Sequence, residues 1–294
     1  MPFVATLVAP AHAANLSDAL LRRAAQAIPG VVSSAMIEPG VAADIVYQGG
    51  PEARGALEAL LTPESIDVIV QDAATRGKKL ILADMDSTLI GQECIDELAA
   101  EAGVGAHVAG ITERAMRGEI PFEGALRERV ALLKGVPEST IVKLLETRIT
   151  LNPGARALFR TMRARGAHTA IVSGGFTPFT GAIAERIGAH EHRANRLGID
   201  GARLTGEVIP PILGREAKLQ ALEELIGRFA LDRSATLAVG DGANDLAMLG
   251  AAGLGVAYRA KPKVAAAAAV RIEFADLTAL LYAQGFARKD FVLD

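Results

Sequence analysis

Residues 80–89 read LILADMDSTL: Leu80 to Ala83 are apolar, Asp84 ends the run, and Asp86, Ser87 and Thr88 follow. A short apolar run bounded by polar residues reads as a buried strand. A solvated turn accounts for one acid at its end. Two acids and two hydroxyls there place polar groups where burial costs free energy, unless they have partners or a task.

Outward from this stretch, strands and helices alternate. Further strands are expected at HTAIVS (168–173), ATLAVGD (235–241) and GLGVAY (253–258), with helices such as PGARALFRTMRARG, bounded by Pro153 and Gly166, between them. Residues 92–150 show helical periodicity alone, as in CIDELAAEAG and PFEGALRERVALLKG. The pattern over 74–294 predicts an α/β unit: a Rossmann-like parallel sheet with helices on both faces and a helical cap inserted at about 92–150. In such sheets ligands bind beyond the carboxyl ends of the strands, which is where Asp84 falls.

Residues 1–73 have a different rhythm. FVATLVAP, VVSSAMI, ADIVYQ and IDVIVQD read as strands, and LSDALLRRAAQAI, capped by Ser17, and PEARGALEALL, with Pro51 at its first position, read as helices. Strand, helix, strand, strand, helix, strand is the order of a small α+β ferredoxin-like domain. This unit resembles ACT-type regulatory modules. The resemblance implies L-serine as an effector; a packing or dimerisation domain without ligand is the plainer alternative, and a homodimer formed through this unit is the expected assembly.

The 294 residues carry a formal net charge of −3, which offers no basic field for nucleic acid or an anionic membrane. Cys94 is the one cysteine, so no intrachain disulfide forms, and a reducing compartment fits. MPFVATLVAP has no positively charged leader, and the alanine-rich run 264–269 is far short of the ~20 residues that span a bilayer. The expected location is cytoplasmic, with no membrane partner.

Four polar stretches converge on the predicted strand ends: DMDST (84–88), SGG (173–175), Lys218 near a helix start, and GDGAND (240–245). Singly each is ordinary, since SGG is commonly a turn and a lone lysine is commonly solvated. Together they suit phosphoryl transfer, which needs cations and donors around anionic oxygens. Mg²⁺ prefers oxygen ligands and would be held by Asp84, the main-chain carbonyl of Asp86, and Asp241. Asp245 and Asn244 would orient that shell. Ser173, Gly174 and Gly175 would take the phosphoryl oxygens, and Lys218 would add fixed positive charge. Asp84 is then the nucleophile, and Asp86 the group that protonates the leaving oxygen and later activates water.

The order D-x-D-x-T, Ser-Gly-Gly, Lys, G-D-G-x-N-D resembles the signature of the haloacid dehalogenase superfamily, over about 80–282, with Asp86 as in its phosphatases. In the insertion, Glu93 and Arg129 would suit an ammonium and a carboxylate on one small substrate. Both residues are equally compatible with solvated helix faces. DMDSTLIGQECIDELAAEAG, AMRGEIPFEGALRERVALLKG and IVSGGFTPFT are similar to the phosphoserine phosphatase branch of the superfamily. That resemblance implies O-phospho-L-serine as substrate, Glu93 on its ammonium, Arg129 on its carboxylate, Met116 and Phe122 lining the lid, and Asn244 reaching the substrate. It implies hydrolysis to L-serine and phosphate as the closing step of L-serine biosynthesis. The rivals are a phosphotransferase or a phosphatase for another small ester, and a catalytically inert amino-acid sensor. His107, His168, His190 and His192 show no ligand spacing, Cys94 reads as packing, and 286–294 as a loosely held tail.

Overall fold

The computed structural model describes residues 1–116 and 119–293, without the side chain of Met116. The first unit comprises β1 (Pro2–Val8), α1 (Asp18–Gln26), β2 (Val31–Glu38), β3 (Ala42–Gln48), α2 (Ala53–Leu61) and β4 (Asp67–Asp72). Its strands pair antiparallel in the order β2-β3-β1-β4, as the predicted ferredoxin-like arrangement requires. Ser17 does cap α1, its Oγ accepting from the Leu20 N–H at 3.2 Å. Pro51 lies in the turn ahead of α2, which begins two residues later than expected, at Ala53. Leu20, Leu21, Leu57 and Leu61 of the two helices close one face of this sheet with Ala5, Leu7 and Ile45.

The second unit runs β5 (Leu80–Ala83), α3 (Cys94–Glu101), α4 (Gly105–Met116), α5 (Phe122–Ala131), α6 (Ser139–Thr147), α7 (Ala155–Ala164), β6 (His168–Phe176), α8 (Thr177–Ile187), β7 (Glu191–Asp200) and β8 (Arg203–Ile209). It continues with α9 (Arg215–Arg228), β9 (Thr236–Gly240), α10 (Leu246–Ala251), β10 (Leu254–Tyr258), α11 (Pro262–Ala267), β11 (Val270–Ile272) and α12 (Ala279–Ala283). The strand order is β11-β10-β9-β5-β6-β7-β8. All neighbours are parallel except β7 and β8, an antiparallel hairpin absent from the sequence-based prediction. The chain builds outward from β5 through β6 on one side and from β9 through β10 on the other. A crevice therefore opens at the carboxyl ends of β5 and β9, where the winding reverses.

Alternation along the strands sends side chains to two cores. Ile81, Ala83, Ile171 and Val239 pack with α7 and α8 through Leu158, Phe159, Phe179 and Ile183. Leu80, Leu82, Val172 and Ala238 pack with α9 and α10 through Leu222, Leu225 and Met248. Helices α3 to α6 form the predicted insertion between β5 and α7. The open face of the first unit seals onto the second: Val8, Ala42 and Ile69 join the core of α7 and α12. Asp67 and Gln71 bond across the seam, to the Ala275 N–H at 2.8 Å and the Ala283 carbonyl at 2.8 Å.

One expectation fails at the carboxyl end. Phe291 is buried with its ring 5.1 Å from that of Tyr282, and the Val292 N–H donates to Thr161 Oγ1 at 2.8 Å. An aromatic anchor and a backbone bond hold what composition alone describes as a loose tail. Among the described residues, no helix is long and apolar enough to cross a membrane.

Candidate active site

The Asp84 N–H continues the β5–β9 ladder to the Val239 carbonyl at 3.0 Å, which fixes the acid at the crevice floor. The chain then turns sharply: the Leu89 N–H returns to the Met85 carbonyl at 2.8 Å, and Ser87 takes a left-handed φ of 56°. This turn tips Asp86 inward and sends Thr88 back under the crevice, where its hydroxyl donates to Asp241 Oδ1 at 2.9 Å. Parallel pairing of β5 with β9 thus makes Asp84 and Asp241 neighbours although 157 positions separate them in the chain.

Lys218, in the first turns of α9, is 2% exposed and lies 2.6 Å from both Asp84 Oδ2 and Asp245 Oδ1. Burial alone would lower its pKa, but the two carboxylates outweigh burial and hold it above its ordinary value. Asp245 is fully buried, and its second oxygen accepts from the Gly242 N–H at 2.9 Å. A Cβ at Gly240 would stand 2.4 Å from Asp245 Cγ, so close approach demands glycine there. These contacts lock Asp245 behind Lys218, while Asp84 and Asp241, each 6% exposed, line the crevice.

The acids crowd one another. Burial, then repulsion from Asp245, pushes the Asp84 carboxyl well above the carboxylate range. Asp241 rises to about 6, chiefly through burial, with the Thr88 hydroxyl pulling the other way. Asp86 rises to about 7 through burial and the nearby Glu93. Its Oδ2 takes a long bond from the Cys94 N–H at 3.4 Å, and its Oδ1 is buried without a partner. Asp84, Asp241 and Asp245 offer carboxylate oxygens within 4.8 Å of one another. An all-oxygen set with excess negative charge fits a hard divalent cation.

Ser173 is 2% exposed, and its Oγ accepts from the Gly175 N–H at 2.9 Å. The SGG stretch lies in the irregular end of β6, since α8 begins only at Thr177. A Cβ on Gly175 would lie 3.2 Å from Asp86 Oδ2, which places this loop beside the second acid. Asn244 lies against the same loop as Asp241, its Oδ1 2.3 Å from where a Cβ on Gly242 would stand.

The insertion closes over this floor. Phe122 opens α5, remains 40% exposed, and has its Cζ 3.4 Å from a Cβ placed on Gly174. Arg129 sits further along α5, its Nε donating to the Ala125 carbonyl at 3.2 Å and its Nη1 to Thr112 Oγ1 at 3.3 Å. Burial lowers its pKa, while Asp96 and Glu93 oppose that shift. Glu93 stands at the start of α3, its Oε1 accepting from the Ser87 hydroxyl at 2.8 Å. The predicted carboxylate and arginine therefore lie close enough to feel each other's charge, and Asp96 acts on Arg129 in the same way. The side chain of Met116 falls outside the described residues. Thr88, which bonds Asp241, and Thr112 and Asp96, which face Arg129, are residues that sequence reasoning left unassigned. Asp96 follows Glu93 by about one helical turn, a spacing that could have flagged it. Cys94 is buried, and burial with Asp86 nearby drives its thiol far above its ordinary pKa, which suits packing and not nucleophilic attack.

Residues 81–250 match the haloacid dehalogenase-like hydrolase family. A curated phosphoserine phosphatase of Streptomyces coelicolor is 42% identical over 235 residues, 80% of this chain and 57% of that protein. The crystal structure of a probable phosphoserine phosphatase from Vibrio cholerae is 33% identical and covers 100% of this chain and 90% of its own, with a TM-score of 0.78. A solved phospho-aspartyl intermediate analogue of phosphoserine phosphatase is 43% identical over 70% of this chain and 98% of its own, with a TM-score of 0.65. The chain spans less than two thirds of several curated relatives, between 57% and 64% of their length.

Proposed function

The chain belongs to the haloacid dehalogenase-like hydrolase family, and on that premise we propose that it hydrolyses O-phospho-L-serine to L-serine and phosphate. The observation that carries this reading is the buried Asp84–Lys218–Asp245 chain set against Asp241 and the unpartnered Asp86 Oδ1. A structural ion pair has no use for extra carboxylates; a phosphoryl site does, because it also recruits a metal.

Asp84, the Asp86 main-chain carbonyl and Asp241 would hold Mg²⁺. Bound there, the ion would offset the charge of the phosphoryl oxygens and of the attacking carboxylate. Lys218 keeps its proton and neutralises a phosphoryl oxygen or Asp84 itself. The Ser173 hydroxyl and the Gly174 and Gly175 amides take the remaining oxygens. Asp84 attacks phosphorus in line with the leaving serine oxygen, forming an aspartyl-phosphate. The relative solved as a phospho-aspartyl intermediate analogue supports this covalent step. Asp86, with a pKa near 7, holds the proton that the leaving oxygen requires. The same carboxylate, now ionised, takes a proton from the water that opens the acyl phosphate.

Arg129 and Glu93 would bracket the amino-acid part of the substrate, carboxylate to guanidinium and ammonium to carboxylate. Phe122 would shield the phosphoryl group from bulk water. Phosphate release tests the whole reading, assayed with Mg²⁺ and with EDTA on phosphoserine, phosphothreonine and a sugar phosphate. Metal-dependent turnover that favours phosphoserine is the expected result; no release from any ester sinks the proposal. Arg129→Ala should weaken phosphoserine binding by about 2–5 kcal/mol and spare a small aryl phosphate. Equal losses on both substrates reassign Arg129 to a structural role.

A further inference from the structure

We infer that Asn195 is a positioning residue that holds the phosphoryl-binding loop, the approach to Lys218 and the seat of the lid as one unit. The inference rests on the phosphatase reading above. It begins with a defect in the sheet. Strands β6 and β7 pair in register at Val172 with Arg193 and again at Phe176 with Asn195. Three residues, Ser173 to Gly175, thus face the single residue Ala194, so the end of β6 bulges out of the ladder. The bulge lifts Ser173 to Gly175 out of the ladder and sets them beside Asp86. It also takes the loop's carbonyl groups away from their usual strand partners, in a place where an unpaired carbonyl is costly.

Asn195 repairs that defect from behind. Its side chain is 0% exposed, and Nδ2 donates to the Gly174 carbonyl at 2.8 Å. The same amide reaches Leu213 twice: Nδ2 donates to its carbonyl at 3.3 Å, and Oδ1 accepts from its N–H at 2.7 Å. Leu213 immediately precedes Gly214, the cap of the helix that carries Lys218. One side chain therefore spans two of the four chemistry-bearing stretches. No other standard side chain of this size offers a donor and an acceptor side by side in one plane.

The two glycines so joined share a third contact. A Cβ on Gly174 would lie 3.4 Å from Phe122 Cζ, and one on Gly214 would lie 3.7 Å from Phe122 Cδ1. The lid residue rests on both, and Asn195 ties them together beneath it. Loss of the clasp should let the Gly174 amide drift from the phosphoryl group and let the lid seat open. Shells that orient binding groups typically lose about 10–100-fold in affinity or activity when removed.

Asn195→Ala and the milder Asn195→Ser test this, with binding of inorganic phosphate to the Mg²⁺-loaded protein measured by calorimetry and turnover measured alongside. Phosphate affinity should fall about 10–100-fold in Asn195→Ala and less in Asn195→Ser, which keeps one hydroxyl. The kcat should fall alike on phosphoserine and on an aryl phosphate, since both share the phosphoryl group. The loss caused by Phe122→Ala should shrink in either Asn195 background, because the seat is already disturbed. A folded Asn195→Ser with wild-type phosphate affinity overturns the inference, as do strictly additive effects with Phe122→Ala. Wild-type protein that neither releases nor binds phosphate overturns the phosphatase reading instead, whatever the variants do.

Discussion

Two buried aspartates, one in each unit, meet opposite fates. Asp67 at the start of β4 is 4% exposed and accepts from the Glu273, Phe274 and Ala275 N–H groups at 2.9, 3.1 and 2.8 Å. Burial raises its pKa, but those three fixed amides all pull the other way. Asp84 is buried to nearly the same degree, yet its surroundings include Asp245 and Asp241, which push its pKa further up, and the cation Lys218, which opposes them. A carboxylate saturated by backbone donors is an interdomain clamp. One placed among other carboxylates stores electrostatic repulsion that a bound cation would relieve. Equal burial therefore says nothing about role, and the kind of partner says a great deal.

The strongest way to break this contrast is at Asp84. Asp84→Asn should reduce phosphate release by at least ~10³-fold, because an amide neither attacks phosphorus nor binds Mg²⁺ well. Its thermal stability should stay level or rise, since one member of the repelling cluster is gone; circular dichroism melts measure this. Retained turnover with lost stability would exchange the roles assigned to the two aspartates.

Next in size is Asp67→Ala. It leaves three amides without their acceptor and should cost about 2–4 kcal/mol in denaturant unfolding. Turnover per folded molecule should hardly change. A collapse of kcat with intact stability would mean that the seam serves catalysis directly.

The smallest effect sharpens the comparison through pH. Asp86 and Asp241 have pKa values raised to about 7 and about 6. The folded state then binds more protons than the unfolded chain, so their contribution is present below about pH 4 and is lost as pH rises to about 7. Mg²⁺ should recover that stability, so its addition should raise the Tm by a few degrees at pH 8 and by much less at pH 5. A shift independent of pH would separate metal binding from these carboxylates.

The first unit was readable because its strands and helices carry clean periodicities, and Ser17 caps α1 as its residue type predicts. Strand β5 and its two acids were readable for the same reason, an apolar run ending abruptly in polar chemistry. The β7–β8 hairpin escaped because EHRANRLGID and RLTGEVI mix charges with apolar residues and show no steady alternation of burial. Strand β11 is only three residues long and exists through its pairing with β10. The carboxyl-terminal segment escaped because its anchor is the contact of Phe291 with Tyr282 of α12, a tertiary packing that composition does not record.

The sequence by itself determined which side chains are proposed to carry the chemistry, because residue type and position at a strand end or helix start are local properties. Asp84, Asp86, Ser173 and Asp241 follow apolar runs, and Lys218 lies near the start of α9. Tertiary structure alone decided which acids face Lys218, how burial and like charge raise Asp84, Asp86 and Asp241, and that Asn195 clasps Gly174 to Leu213. Those relations arise between strands adjacent in space and distant in the chain. Register, a bulge and the reversal of winding at β5 set them, and no local pattern of residues records such distances.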